Sequence, residues 1–523
     1  MQVCLVRPLF KIIFGSLGRV VPRQTAVNSQ RKKSAAALRD GLIASLRDYC
    51  ANASVHGLRF LVDAGYRLPE RVVWAGTCLL AVLGAVVMSL EVARRFGCRT
   101  TMTVVETTNY PVYEVAYPAV VVCDNNRVHW DKLLDYERRQ LSELDADTRA
   151  VFRSLVTSLA QMEWADFDLF TPKDLANYRA LDTLSHVNFS DVMRQVMPKC
   201  EEFFHNACYW RSETRNCCDI FEVLLTDIGY CFAFNSLFNH MSRTHSRDGE
   251  LLPRRVSSSG KWSGLRFYVN TSSLQPPGLS VQRGVVVSVN EPTALRMDGL
   301  IVGSDQMALV RVSSDVTYTT HTVRSLRPGD RGCLYSNERD TLQQGAYSYA
   351  NCRLECFRQY AIATCACLPY FFPPAGNLNT CTTVQFKCLY DNNDMFNYIK
   401  PGSNNPYFDE DRAGMVCTCP AECDSQTYSA ELYPSELREV HARHASLVDV
   451  HFRQELVVRY RTDVVFDWFT LLVSFGGTAG LFLGASMLSA VELVYFLVFR
   501  TWLHVRAARA ARLRPVLVPY WLP

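Results

Sequence analysis

Two long apolar runs, placed near opposite ends of the chain, constrain its fold more than any other feature. Val72 to Leu90, VVWAGTCLLAVLGAVVMSL, is nineteen residues without a charge. As a helix it spans ~28 Å at ~1.5 Å per residue, close to the hydrocarbon core of a bilayer. The second run, Val464 to Phe499, has thirty-six residues, or ~54 Å of straight helix, more than a bilayer requires. It carries Asp467, Glu492 and four glycines, Gly476, Gly477, Gly480 and Gly484. Such a segment is expected to tilt or break, and lipid tolerates broken backbone only where it faces protein or water.

Orientation follows from the flanking charges. Residues 1–71 hold twelve Lys/Arg against four Asp/Glu, and residues 500–523 hold five Arg and no acid. Both ends therefore read as cytoplasmic. The start, MQVCLVRPLFKIIFG, has charges inside its apolar stretch, so no cleavable signal peptide is expected. The domain reading is a cytoplasmic region 1–71, a first transmembrane helix 72–90, an extracellular domain 91–463, a second transmembrane helix 464–499 and a cytoplasmic tail 500–523. The whole chain carries +4, which leaves −9 for residues 72–499. That balance gives no reason to expect nucleic acid as a partner; the lipid bilayer is the expected one.

Seventeen of the twenty cysteines lie between Cys98 and Cys423, in the outer segment. An oxidising exterior pairs thiols before zinc can collect them, so no metal site is expected. Asn188-Phe-Ser and Asn270-Thr-Ser are glycosylation sequons on this side, whereas Asn52-Ala-Ser is cytoplasmic and silent. Helices are expected between Asp131 and Met162 and over Asn351–Thr364. In the second of these, Cys352 and Cys356 share one face. Strands are expected at Leu265–Asn270, Val285–Asn290, Ala308–Val312 and Val316–Val323. Cys417 and Cys419 share one face of an extended strand, and Ser242–Gly264 reads as a mobile loop.

Several motifs, in order, resemble the degenerin/epithelial sodium channel superfamily and most closely its insect pickpocket branch. Tyr49-Cys-Ala-Asn-Ala-Ser-Val-His56-Gly57 is similar to the family's His-Gly gating motif. Tyr117-Pro-Ala-Val-Val-Val-Cys123-Asp124-Asn-Asn-Arg127 is similar to its FPAVTICNxNR signature, with Tyr for Phe, Val121 for Thr and Asp124 for Asn. The cysteines from Cys333 to Cys423 follow the family's thumb spacing. Gly484-Ala485-Ser486, with Ser489 and Glu492, follows its pore tract.

The resemblance implies a membrane protein of α+β class. Two transmembrane helices would flank a large disulfide-rich extracellular domain, hand-like, with a β palm and helical finger and thumb. It implies a homo- or heterotrimer with related subunits, passing Na⁺ across the plasma membrane of a sensory or epithelial cell, amiloride-sensitive and with no cofactor. It pairs Cys123 with Cys231, Cys333 with Cys423, Cys352 with Cys419, Cys356 with Cys417, Cys365 with Cys388 and Cys367 with Cys381. Cys98, Cys200, Cys208, Cys217 and Cys218 are left without an assigned partner, although a local bridge from Cys200 is expected. Gly484, Ala485 and Ser486 would form the selectivity filter. Asp467, Ser489 and Glu492 would be pore-associated, Glu492 as an acidic ring near the cytoplasmic end. His56 and Gly57 would gate, with Val473 or Ser474 as the small residue whose enlargement holds the pore open.

Other classes fit less well. An ATP-gated two-span channel needs clustered basic groups outside, yet only six Lys lie there. A surface enzyme could draw on nine exterior His, but no motif sets a nucleophile beside one, so the chain reads as no enzyme. A non-conducting or modulatory subunit is the alternative within the family.

Overall fold

The computed structural model describes Arg39 and residues 41–98, 101–238, 243–272, 274–277, 282–295, 299–339, 347–372, 380–401, 407–408, 411–437, 445–465 and 468–513. Asp467 lies outside the described residues. The chain divides into two compact units, one of residues 1–102 with 464–523 and one of residues 103–463.

The first unit is helical. Helix α1 covers 41–52 and α2 covers Leu68–Cys98, longer at both ends than the charge-free run. The second apolar run does not form one helix. It opens in a strand that ends at Val464, because Val458, Tyr460, Thr462 and Val464 alternate with Arg459, Arg461 and Asp463 and continue the sheet up to the apolar boundary. Helix α8 then runs Trp468–Leu483 and stops. Helix α9, Met487–Val494, restarts it, followed by a π-helical segment Tyr495–Arg500 and α10, Thr501–Leu513. Helical backbone therefore continues past Phe499 into the region expected to be a tail. Two helical stretches, Leu68–Arg95 and Met487–Ala507, are long and apolar enough to cross a membrane.

Among the described residues the second unit carries two large sheets, besides two short two-stranded ones that pair Cys333–Leu334 with Ala421–Glu422 and Ile399–Lys400 with Met415–Val416. The strands of the large sheets are β1 (Thr101–Pro111), β2 (Ala119–Asp124), β3 (Phe204–Trp210), β4 (Glu213–Arg215), β5 (Phe221–Thr226), β6 (Gly229–Phe234), β7 (Leu265–Asn270), β8 (Gly284–Asn290), β9 (Leu300–Gly303), β10 (Gln306–Thr319), β11 (Ser425–Glu436), β12 (Ala445–Phe452) and β13 (Leu456–Val464). The larger sheet runs β1-β13-β10-β12-β7-β3-β4 with β11 also on β10, and the smaller runs β5-β6-β2-β8-β9. Strand β10 organises the larger sheet. Its first half pairs in parallel with β12 and its second half with β13, while β11 follows it antiparallel from Gln306/Glu436 to Thr317/Ser425. The two strands expected at Ala308–Val312 and Val316–Val323 are thus one strand, and His321–Arg324 is a helical turn. The intervening Ser-Ser-Asp is polar but satisfied by ladder hydrogen bonds, so it does not break the strand.

Between the sheets sits an aromatic core of Tyr117, Trp210, Phe234 and Phe267. Tyr117, standing where the family signature has Phe, is fully buried. Its hydroxyl donates to the Val450 carbonyl at 2.8 Å and accepts from the Leu265 amide at 3.2 Å. The segment before β7 is irregular as expected but anchored rather than mobile. Arg254 there is 1% exposed, ion-paired to Asp248 at 2.7 Å and to Glu250, and lies against Phe234. On β13, Arg459 sits between the rings of Tyr110 and Tyr318 at 4.7 and 4.1 Å and pairs with Glu106, tying β1, β10 and β13 together.

Helices α3 (Trp130–Gln140), α4 (Ala146–Gln161), α5 (Phe189–Val196), α6 (Tyr349–Cys365) and α7 (Thr383–Asp391) pack around a second core that includes Phe152, Phe170, Phe189 and Phe386. Eight disulfides join the described cysteines of this unit. Cys123–Cys231 bridges β2 and β6 one step beyond the Val122/Phe232 pair. Cys352–Cys419 and Cys356–Cys417 leave one face of α6, and Cys333–Cys423, Cys365–Cys388 and Cys367–Cys381 surround them. Cys417 and Cys419 lie just past the short strand Met415–Val416 rather than in it, because the Pro420 that follows lacks an amide for a ladder. Four of the five cysteines without an assigned partner form two further bridges, Cys200–Cys218 and Cys208–Cys217.

A cleft of about 800 Å³ is lined by Glu291, Glu422, Tyr349 and Tyr428, among others. Burial, and then the Glu422 charge, push the Glu291 carboxyl up to about 8. Burial likewise raises Glu422, opposed by the Tyr349 amide that donates to it at 2.5 Å. The folded state therefore retains protons that the unfolded chain releases above its ordinary carboxylate range. Stability of the full-length protein is expected to fall as pH rises from about 5 through 8. Glu291→Gln should flatten that slope and raise the melting temperature at pH 8, as read by thermal unfolding in detergent across this pH range. An unchanged slope would show that Glu291 ionises freely.

Candidate functional site

The break between α8 and α9 falls on Gly484, Ala485 and Ser486. Gly484 adopts φ +61°, the left-handed conformation that ends helices. Its amide bonds the Gly480 carbonyl at 2.9 Å, the five-to-one bond of an αL ending, and the Ala485 amide reaches back six residues to the Ala479 carbonyl at 3.3 Å. Ser486 then caps α9. Its hydroxyl accepts from the Ser489 amide at 3.3 Å while Ser489 Oγ accepts from the Ser486 amide at 3.0 Å. Among the described residues, no hydrogen bond reaches the carbonyl of Gly484 or Ala485.

The His56-Gly57 segment packs on this break. The His56 amide donates to the Leu483 carbonyl at 3.1 Å, satisfying one orphan acceptor of the α8 end. A methyl group at position 484 would lie 2.1 Å from His56 Nδ1, so the imidazole occupies the space that glycine leaves. Gly57 is itself left-handed at φ +86°, with Cys78 Sγ 2.8 Å from where its Cβ would be. Two residues earlier, Ser54 donates to Glu492 Oε2 from its amide at 3.1 Å and from its hydroxyl at 2.8 Å, and its Oγ lies 2.7 Å from Ser489 Oγ.

Helix α1 runs beside the restarted helix. Ser45 Oγ donates to the Phe496 carbonyl at 2.7 Å, Tyr49 packs edge-on against Phe496, and Asp48 pairs with Arg500 at 3.4 Å. An apolar cavity of about 710 Å³ lies between these parts, lined in part by Trp74, Cys78, Phe475, Phe482, Ala485 and Ser486.

The structure thus brings together His56, Gly57, Gly484, Ala485, Ser486, Ser489 and Glu492. Val473 and Ser474 lie about three turns before Gly484 in α8, where Ser474 Oγ bonds the Thr470 carbonyl. Asn188 and Asn270 sit in the other unit. Asn188 is exposed and caps α5, accepting from the Ser190 amide, whereas the Asn270 amide group donates to the Glu202 carbonyl at 3.3 Å. Reasoning from sequence passed over Ser54. It lies inside the quoted His-Gly motif, but nothing in its spacing announces a partner 438 residues away.

Gly484→Ala must hold a left-handed backbone, at roughly 1–2 kcal/mol, and also displace the His56 ring. It should lower the melting temperature of the purified chain, and adding His56→Ala should recover the steric part of that loss. Equal melting of the Gly484→Ala chain with and without His56→Ala would deny the contact.

The profile of the family "Amiloride-sensitive sodium channel" matches residues 49–496. Pickpocket protein 19 of Drosophila melanogaster is 28% identical over 88% of this chain and 91% of that protein. The sodium channel protein Nach of Drosophila melanogaster is 25% identical over 86% of each. The human bile acid-sensitive ion channel is 24% identical, over 86% of this chain and 85% of its own. With the profile spanning both apolar segments and everything between them, the chain belongs to the amiloride-sensitive sodium channel family.

Proposed function

We propose that the chain is a pore-forming subunit of a trimeric, amiloride-sensitive, Na⁺-selective channel in the plasma membrane of a sensory or epithelial cell, with both ends cytoplasmic. The observation that supports this most is the pair of unpartnered carbonyls at Gly484 and Ala485. Unpartnered backbone at membrane depth is stable only where it meets protein or water. Around a three-fold axis the small residues of the break let three copies approach closely. Their carbonyl oxygens then replace part of the hydration shell of a hard monovalent cation.

In this reading Gly484, Ala485 and Ser486 set diameter and selectivity. Glu492, as a ring of three carboxylates, concentrates cations toward the cytoplasmic side, and Asp467 does so at the outer mouth. His56 and Gly57 gate by holding or releasing the α8 end, and enlarging Val473 or Ser474 props the pore open. The Ser486 side chain caps α9 in the described conformation, so its part in selectivity is to fix the turn that aims the carbonyls.

Voltage clamp of cells expressing the chain, alone and with a related subunit, tests the reading. The current should reverse at a potential that follows external Na⁺, be blocked by amiloride, and change selectivity or conductance on Ser486→Cys. A reversal potential indifferent to Na⁺ replacement would overturn it. Current that appears only with a partner and ignores Ser486→Cys would assign the chain a modulatory role.

A further inference from the structure

Among the described residues, Glu492 is the acidic side chain within the second apolar run. A carboxylate at membrane depth is costly unless hydrogen-bonded. Here one oxygen, Oε2, takes both the amide and the hydroxyl of Ser54.

The hydroxyl inventory then orders the protons. A serine hydroxyl has one proton to give and two lone pairs to receive with. Ser54 gives its proton to Glu492, so at its 2.7 Å contact with Ser489 it must accept. Ser489, 3% exposed, therefore donates to Ser54 while its own oxygen accepts from the Ser486 amide. A directed relay runs from the Ser486 turn through Ser489 and Ser54 to the carboxylate. Ser54 is the one member supplied by the N-terminal segment; the other three belong to the broken helix and its restart.

We propose that Ser54 is a specificity-determining positioning residue of the pore. By occupying Oε2 it fixes the Glu492 carboxylate and leaves Oε1 to face a cation. By accepting from Ser489 it holds the turn that carries the Gly484 and Ala485 carbonyls. This rests on the channel reading above. Alanine at 54 removes the hydroxyl donor to Glu492 and the acceptor for Ser489 together, while threonine keeps both.

The test uses the full-length chain. Under bi-ionic conditions Ser54→Ala should lower the Na⁺ to K⁺ permeability ratio about fivefold, the scale of one lost hydrogen bond. Ser54→Thr should restore the wild-type ratio, and Ser54→Ala added to Glu492→Gln should change it no further. A wild-type ratio in Ser54→Ala, no rescue by threonine, or full additivity with Glu492→Gln each overturns the proposal. Independently, Ser54→Cys combined with Ser489→Cys should form a disulfide on copper-phenanthroline oxidation, identified as a linked peptide by mass spectrometry. No link under those conditions overturns the contact itself. A wild type that carries no current while the link forms overturns the channel reading, and Ser54 is then a structural latch only.

Discussion

The hydrogen bond from the His56 amide to the Leu483 carbonyl is the contact on which the helical unit turns. A helix that stops inside a bilayer strands its last carbonyls, and no water is at hand to take them. Three devices meet that cost here. The Ala485 amide reaches back to Ala479, Ser486 and Ser489 cap the restart, and His56 arrives from some 430 residues away in sequence to cover Leu483. Each depends on Gly484, because only a residue without Cβ lets the backbone turn left-handed beneath the imidazole. Among the described residues no hydrogen bond reaches the carbonyls of Leu481, Phe482, Gly484 or Ala485, so the geometry that makes the break tolerable still leaves a short run of backbone oxygens open at it.

The N-terminal segment is accordingly part of the membrane machinery rather than an appendage. Helix α1 lies along the restarted helix through Ser45, Asp48 and Tyr49, and the chain then enters the break through Ser54 and His56. The π-helical segment Tyr495–Arg500 lies where α1 makes these contacts. In a π-turn the bond runs from i to i−5: the Phe496 carbonyl accepts from the Thr501 amide and, at 3.1 Å, from the Thr501 hydroxyl, and Ser45 is a further donor to it. Helix α1 therefore reaches the irregular segment at a carbonyl that its own ladder already bonds.

Much of this was legible in the chain. The glycine-marked excess length of the second run announced a break, and the Gly-Ala-Ser tract marked its place. Leu265–Asn270 reads as a strand because alternation and β-branching agree there, and α6 was visible from its spacing. Legibility failed where a distant partner decides the outcome. The Ser-Ser-Asp of β10 looks like a breaker in isolation, yet β11 pairs with all three residues and β13 also with Asp315. Arg254 looks like a loop charge until Asp248 and Glu250 enclose it. Ser54 looks like an unpaired surface serine until Glu492 is set beside it. Cysteine spacing alone did not decide Cys200, Cys208, Cys217 and Cys218, because adjacent Cys217 and Cys218 offer a nested pairing, the one formed, and a crossed one that differs from it only in local geometry.

The two units also differ in how they absorb a changed polar group. In the β-rich unit, Tyr117 adds a hydroxyl where the family signature has Phe, and it is matched by the Val450 carbonyl and the Leu265 amide. Asp124 replaces Asn and is matched by His129 at 3.1 Å and by the Asn126 amide. Both matches come from backbone or side chains of neighbouring sheet and turn, where partners are dense. At the break no such surplus exists. Ser486, Ser489, Ser54 and Glu492 share a short series of donors and acceptors in which each proton has one destination. Removing a member there strands a group in a setting where stranding is expensive. Substitutions in the signature strand can therefore be neutral when a local partner is in reach, whereas the polar groups of the break must change together or not at all.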